Sequence, residues 1–238
     1  MKTEVISRRY FWSSKAKQIS LVSDVDLPHA DFLLFHGGGW VRGSPDMLSW
    51  LAPPLEKSGV RLILPSYRLL GQDGASVDDA ISDTLAATKW FIRRRDRAKR
   101  LFVGGASSGG LLALHALKKW PDAFSGVILM NPVTNTGENG FRNRQIGAEG
   151  RTDISPLAFA RDLPRTRALI IHPGEDVVVP IAQSEDFLQS WNNPDAKLRK
   201  WPERGGHGSF GRPNAQLKTQ EIICEFILTL ETRPVSKF

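Results

Sequence analysis

A single cysteine in 238 residues excludes an internal disulfide. Cys224 falls in the apolar periodicity Ile222, Ile223, Phe226, Ile227, Leu230, which reads as a small buried hydrophobe rather than a reactive thiol. No run of roughly 18 apolar residues is present, so no membrane span is expected. The first nine residues, Met1 to Arg9, lack the apolar core of a secretory leader. Together these absences predict a soluble chain in a reducing, cytoplasmic setting. Internal repeats and low-complexity linkers are missing too, so the 41% hydrophobic content is expected to fill the core of one domain over residues 1–238. Acidic residues are the scarcer charge, 25 against 32 lysines and arginines, for a net charge of +7. The densest basic run, Arg93 to Arg100, ends a helix pattern, where cations suit the helix dipole, and has no interleaved aromatics on which bases stack. That argues against a nucleic-acid partner, although a field of this sign steers anionic substrates.

What is present is an alternation of apolar strands and amphipathic helices. Val5–Trp12 and Gln18–Val22 read as an antiparallel start to a sheet. Largely apolar strand runs follow at 31–36, 60–65, 99–103, 124–130 and 167–172, and a last short strand is expected at Lys197-Leu198-Arg199-Lys200-Trp201. Ser76 and Asp79 form a helix-start pattern ahead of Val77, Ala80, Ile81, Thr84, Leu85, Thr88, Phe91 and Ile92 at helical spacing. Further helices are expected over 111–119, 180–191 and 214–230. Largely apolar strands, alternating with helices, mean an α/β fold with a mostly parallel sheet covered on both faces. Residues 131–153 break the rhythm; polar and rich in Gly and Arg, they read as a surface excursion beyond a strand's C-terminal end.

The chemistry centres on Gly105-Ala106-Ser107-Ser108-Gly109, a G-x-S-x-G match between a strand and a helix. A tight turn there exposes a serine, and flanking glycines keep side chains clear of the neighbouring backbone. Ser107 is the candidate nucleophile. A serine hydroxyl needs a histidine base, and the base needs a carboxylate to fix its tautomer. His207 follows the last predicted strand; His29, His36, His115 and His172 each have a structural explanation. Asp176 follows the strand before it, with Glu175 as its rival, giving the order Ser, Asp, His. His36-Gly37-Gly38-Gly39-Trp40, at another strand end, lets backbone N–H groups converge on a developing oxyanion.

These segments resemble the α/β-hydrolases, specifically the hormone-sensitive-lipase-like esterases (alpha/beta hydrolase fold-3). Tyr67-Arg68-Leu69, Asp83 with Trp90, Ser155-Pro156-Leu157 and Gly174–Pro180 are similar to that group's signatures. The resemblance implies an α/β-hydrolase fold and a serine hydrolase of small-molecule carboxylic esters, without metal or cofactor. It also implies an oxyanion hole from the backbone N–H groups of Gly38, Gly39 and Ser108. Two departures stand out. Ala106 and Ser108 occupy positions where the group usually has Asp and Ala, and only about 35 residues precede the glycine turn, too few for the usual helical cap. Cap-poor relatives include kynurenine formamidase-like amide hydrolases, and other members of the fold have non-hydrolytic roles, so both alternatives stand. Trp40, Trp50, Phe141 and Phe159 are candidate pocket residues, and Arg142, Arg144 and Arg151 are candidate contacts for a substrate carboxylate. The C-terminal Ser236-Lys237-Phe238 is one residue from a peroxisomal Ser-Lys-Leu address, an alternative to the cytoplasmic expectation.

Overall fold

The computed structural model describes residues 8–10, 17–21, 28–141 and 147–229. Arg142, Arg144 and the Ser236–Phe238 tripeptide lie outside these residues, as do parts of the two N-terminal runs. In chain order the elements are β1 (Arg8–Tyr10), β2 (Lys17–Leu21), β3 (Ala30–Phe35), α1 (Ala52–Lys57), β4 (Val60–Pro65), α2 (Leu70–Asp73), α3 (Val77–Arg94), β5 (Arg100–Ala106), α4 (Ser108–Lys119), β6 (Gly126–Met130), β7 (Ala168–His172), α5 (Ala182–Trp191), β8 (Ala196–Lys200) and α6 (Pro213–Leu228). Eight strands among the described residues form one sheet in the order β1-β2-β4-β3-β5-β6-β7-β8. The six from β4 to β8 are mutually parallel, and β2 and β1 join antiparallel.

Strand periodicity sorts the core into two layers. Leu33, Phe35, Ile63, Val103, Val127, Leu129 and Ile170 face α3, α4 and α5, where Ala80, Phe91, Leu112 and Phe187 meet them. Their alternating neighbours Phe32, Leu34, Leu62, Leu64, Phe102, Ile128 and Ile171 face α1 and α6, against Leu55, Ile223 and Phe226. Each fully buried aliphatic or aromatic side chain removes enough apolar surface to contribute about 1.5–3 kcal/mol. Two-sided burial is why these strands read as largely apolar runs. Helix α3 starts at the capping box expected from the sequence. The Ser76 hydroxyl accepts from the Asp79 N–H at 3.2 Å, and the Asp79 carboxylate accepts from the Ser76 N–H at 2.9 Å, satisfying two otherwise orphaned donors.

Cys224 is half-buried against the α1/α6 layer, and burial pushes its thiol pKa up, away from reactivity. Among the described residues no helix is long and apolar enough to cross a membrane. Residues 131–136 depart from the surface excursion expected of them: Asn131, Val133, Thr134 and Thr136 are all buried. Distant groups satisfy their polarity. Gln183 accepts from the N–H groups of Thr134 and Asn135, the Thr134 hydroxyl donates to the Gln183 carbonyl, and that of Thr136 donates to the Arg151 carbonyl.

Candidate active site

Parallel pairing brings the C-terminal ends of β3, β5, β6, β7 and β8 to one edge, next to the point between β3 and β5 where the strand order reverses. Registers Phe35 with Gly105, Ala106 with Met130, and Met130 with Ile171 place the following residues side by side. Ser107 leaves β5 at φ 53°, ψ −121°, caps α4, and donates its backbone N–H to the Met130 carbonyl at 2.8 Å. Such a conformation costs a non-glycine residue about 1–3 kcal/mol. The crossing is tight: a Cβ on Gly105 would lie 2.0 Å from the Gly109 carbonyl oxygen, and one on Gly109 would lie 2.2 Å from that of Phe35. Both glycines are therefore required by close backbone approach.

Ser107, His207 and Asp176 meet at this edge. The Ser107 hydroxyl lies 2.9 Å from Nε2 of His207, and Nδ1 of His207 lies 2.7 Å from Asp176 Oδ2. With Nδ1–H donating to the carboxylate, Nε2 is left to accept from the serine. Glu175, the rival acid, is exposed. Two backbone bonds tie the acid's turn to the histidine's loop, Gly174 N–H to the Pro202 carbonyl at 3.0 Å and Glu175 N–H to that of Gly205 at 3.1 Å. A side chain at Gly174 would strike the Glu203 carbonyl oxygen, so the contact depends on that glycine. Burial pushes the Asp176 carboxyl up. Hydrogen bonds from His207 and from the Val179 and Val178 N–H groups outweigh it, leaving the pKa below the usual carboxylate value. His172 supports the same turn from below. It is fully buried, its Nε2 is 2.8 Å from the Val179 carbonyl, its Nδ1 is 2.8 Å from the Ser184 hydroxyl, and burial holds its pKa down in the neutral form.

The glycine turn lies beside Ser107, and Gly37, Gly38 and Gly39 line the same cavity. Gly39 N–H donates to the Ser108 hydroxyl at 3.0 Å, a bond that alanine at this position would not make. An oxyanion recruiting Gly39 must displace that hydroxyl, which offsets about 0.5–1 kcal/mol of the gain. Ser108→Ala is therefore expected to raise kcat about two- to fivefold. An unchanged or lower kcat would mean that the hydroxyl holds the loop instead.

Behind the turn, the Tyr67 hydroxyl donates to the His36 carbonyl at 2.7 Å, and the two rings stack at 4.3 Å. The Arg68 guanidinium forms a two-pronged pair with Asp83 at 2.9 Å and a further one with Asp79 at 2.8 Å. These contacts give the Tyr-Arg-Leu signature a structural role. Burial lowers the His36 pKa to about 4, partly offset by its Nδ1–H bond to the Gly37 carbonyl. The unfolded chain takes up that proton near pH 6.5. His36 therefore contributes stability that is complete above pH 6.5 and is lost as pH falls toward 4, up to about 3 kcal/mol. His115 and His172, also lowered by burial, act with the same sign. Unfolding free energies measured from pH 7 to 4 should fall in this window, and His36→Phe should flatten the slope.

Asn131 is a site residue that the sequence pattern did not single out. It sits at φ 37°, almost fully buried, with its side-chain nitrogen 2.9 Å and 3.1 Å from the two ring nitrogens of His207. In the ring plane such a near-equidistant point collides with Cε1, so the amide covers the face of the imidazole. A polar residue directly after β6 in the strand-end series was the available signal. Trp40 corrects an expectation. Its left-handed backbone, φ 62°, turns the indole into the core, where it packs edge-on to Phe141 at 5.9 Å; Phe141 lines the cavity and Trp40 does not. Trp50 lines the cavity, whereas Phe159 lies in the core beside His115. Arg151 is taken up by Asp78 and Asp153.

Comparison with known proteins agrees with this architecture. Esterase 2 of Thermogutta terrifontis, phosphonylated by cyclosarin, superposes with a TM-score of 0.80 at 22% identity, over 95% of this chain and 94% of that one. Its propionate-bound form gives 0.81 at 21%, over 98% and 97%. A probable aminopeptidase, YbaC, of Bacillus subtilis (strain 168) is 26% identical over 125 residues, 50% of this chain but only 39% of that protein. Residues 32–189, about two-thirds of the sequence, match the model of the alpha/beta hydrolase fold family, and the chain belongs to that family.

Proposed function

We propose that this protein is a serine hydrolase that cleaves carboxylic esters of small organic molecules through an acyl-enzyme. The observation that carries the reading is the unbroken relay from the Ser107 hydroxyl through His207 to buried Asp176. Ser107 attacks the acyl carbonyl as His207 takes its proton, and the negative charge moves onto the former carbonyl oxygen. Backbone N–H groups of Gly38, Gly39 and Ser108 receive that oxyanion, aided by the positive end of α4. Asp176 holds the imidazole tautomer and stabilises the imidazolium, which then protonates the departing alkoxide. Water, deprotonated by His207, releases the acid and restores Ser107. This chemistry uses no metal or cofactor. A cavity of about 650 Å³ opens on Ser107 and His207, the size of a small-molecule site.

Support comes from the structural neighbour, esterase 2 of Thermogutta terrifontis, whose forms include propionate-bound, butyrate-bound and cyclosarin-phosphonylated ones. Amide hydrolysis is the second reading, favoured by the probable aminopeptidase among the relatives, and a formamidase is its most testable form. Assaying p-nitrophenyl esters of increasing acyl length beside N-formylkynurenine separates the two. The ester reading predicts turnover on short acyl chains well above that on the formamide; the reverse order would replace it.

A further inference from the structure

Two arginines line the cavity that opens on Ser107, Arg42 just beyond the glycine turn and Arg212 just beyond the His207 loop. Neither guanidinium has a hydrogen-bond or ion-pair partner among the described residues, unlike Arg61, Arg68 and Arg151, each committed to a carboxylate. Among the described residues no Asp or Glu lines the cavity, and the first turn of α6, which follows Arg212, carries no acid. Apart from these two cations and the groups around Ser107, the wall is largely apolar, with Val41, Met47, Leu48, Trp50, Phe141 and Phe210. Both arginines are exposed at the mouth, so a ligand reaches them without burying an unpaired charge.

Building on the hydrolase reading, we infer that Arg42 and Arg212 form a carboxylate-binding subsite, and that the preferred substrates are esters whose far end carries a carboxylate. Such a molecule lays its hydrocarbon along the apolar wall and its scissile carbonyl at Ser107, while its anionic end meets a guanidinium at the mouth. The planar N–H fork of arginine matches a carboxylate in two parallel bonds. The distance from acyl carbon to charge is thereby selected, as a diffuse positive field would not do.

The test compares 4-nitrophenyl hydrogen glutarate with its terminal amide, a neutral ester of nearly equal shape, at fixed ionic strength. The parent enzyme is expected to favour the carboxylate about tenfold in kcat/KM, the scale of one charge-assisted hydrogen-bond pair. The double variant Arg42→Gln/Arg212→Gln should bring the ratio close to one, chiefly through KM, and each single variant should lower it about threefold. The ratio cancels general damage to the site, and the single variants serve if the double one folds poorly. Arg93→Gln/Arg97→Gln removes the same charge from the remote basic run and should preserve the preference. If the parent hydrolyses both esters equally, or if the remote variant erases the preference as fully, the subsite is overturned while the hydrolase reading stands. If the parent hydrolyses neither ester, the hydrolase reading fails and the subsite with it.

Discussion

Replacing Ser107 by alanine is expected to lower kcat/KM on a short-chain ester by about four orders of magnitude or more while the protein stays folded. Under the proposed mechanism the loss is this large because the acyl-enzyme cannot form without Oγ, and His207 then has no proton to take. Folding is spared because, among the described residues, the Ser107 hydroxyl bonds only to His207, and the backbone bonds through Met130, Gly110 and Val133 remain. Alanine keeps the strained φ of 53°, whereas glycine accepts it freely. Ser107→Gly should therefore be equally inactive yet more stable than the parent by about 1 kcal/mol, read from denaturant unfolding. An active Ser107→Ala enzyme would move the chemistry to another residue.

Asp176→Asn is expected to lower kcat by about three to four orders of magnitude, with little change in size or shape at the site. The amide offers an N–H where the carboxylate accepted one. His207 then turns its lone pair toward residue 176 and its N–H toward Ser107, the wrong tautomer for a base. Val178 and Val179 donate to Oδ1, an acceptor that asparagine retains, so the turn should keep its form. Glu175→Gln, on the exposed neighbour, should leave turnover within about twofold. Comparable losses in both variants would shift the role of acid away from Asp176.

The inner parallel strands were the most legible part of the chain, because burial on both faces forces mostly apolar side chains along them; β4 runs over 60–65 as expected, whereas the edge strand β8, Ala-Lys-Leu-Arg-Lys, is half exposed and carries three cations. The capping box at Ser76 was legible because its chemistry is local. Strand β5 was harder to bound. It continues through Gly104 and Gly105 into the motif read as a turn, since the sheet neighbours Ile128 and Leu129 pair with those glycines. Ser107 was nominated by its G-x-S-x-G motif, and His207 and Asp176, the latter with Glu175 as rival, by following strand ends, since parallel topology delivers all strand ends to one edge. The covering of His207 by Asn131 was not legible, nor was the Gly39 bond to Ser108, because each joins residues far apart in sequence. The polar run after Asn131 misled for the same reason: Gln183, which pays for its burial, lies on α5.

The most direct measurement is the intact mass of the protein after reaction with a fluorophosphonate, followed by peptide mapping of the adduct. One equivalent bound at Ser107, formed far more slowly in Asp176→Asn and absent from Ser107→Ala, is the predicted result. No adduct under conditions where the folded protein hydrolyses esters, or an adduct on any other residue, would contradict the assignment of Ser107 as the nucleophile.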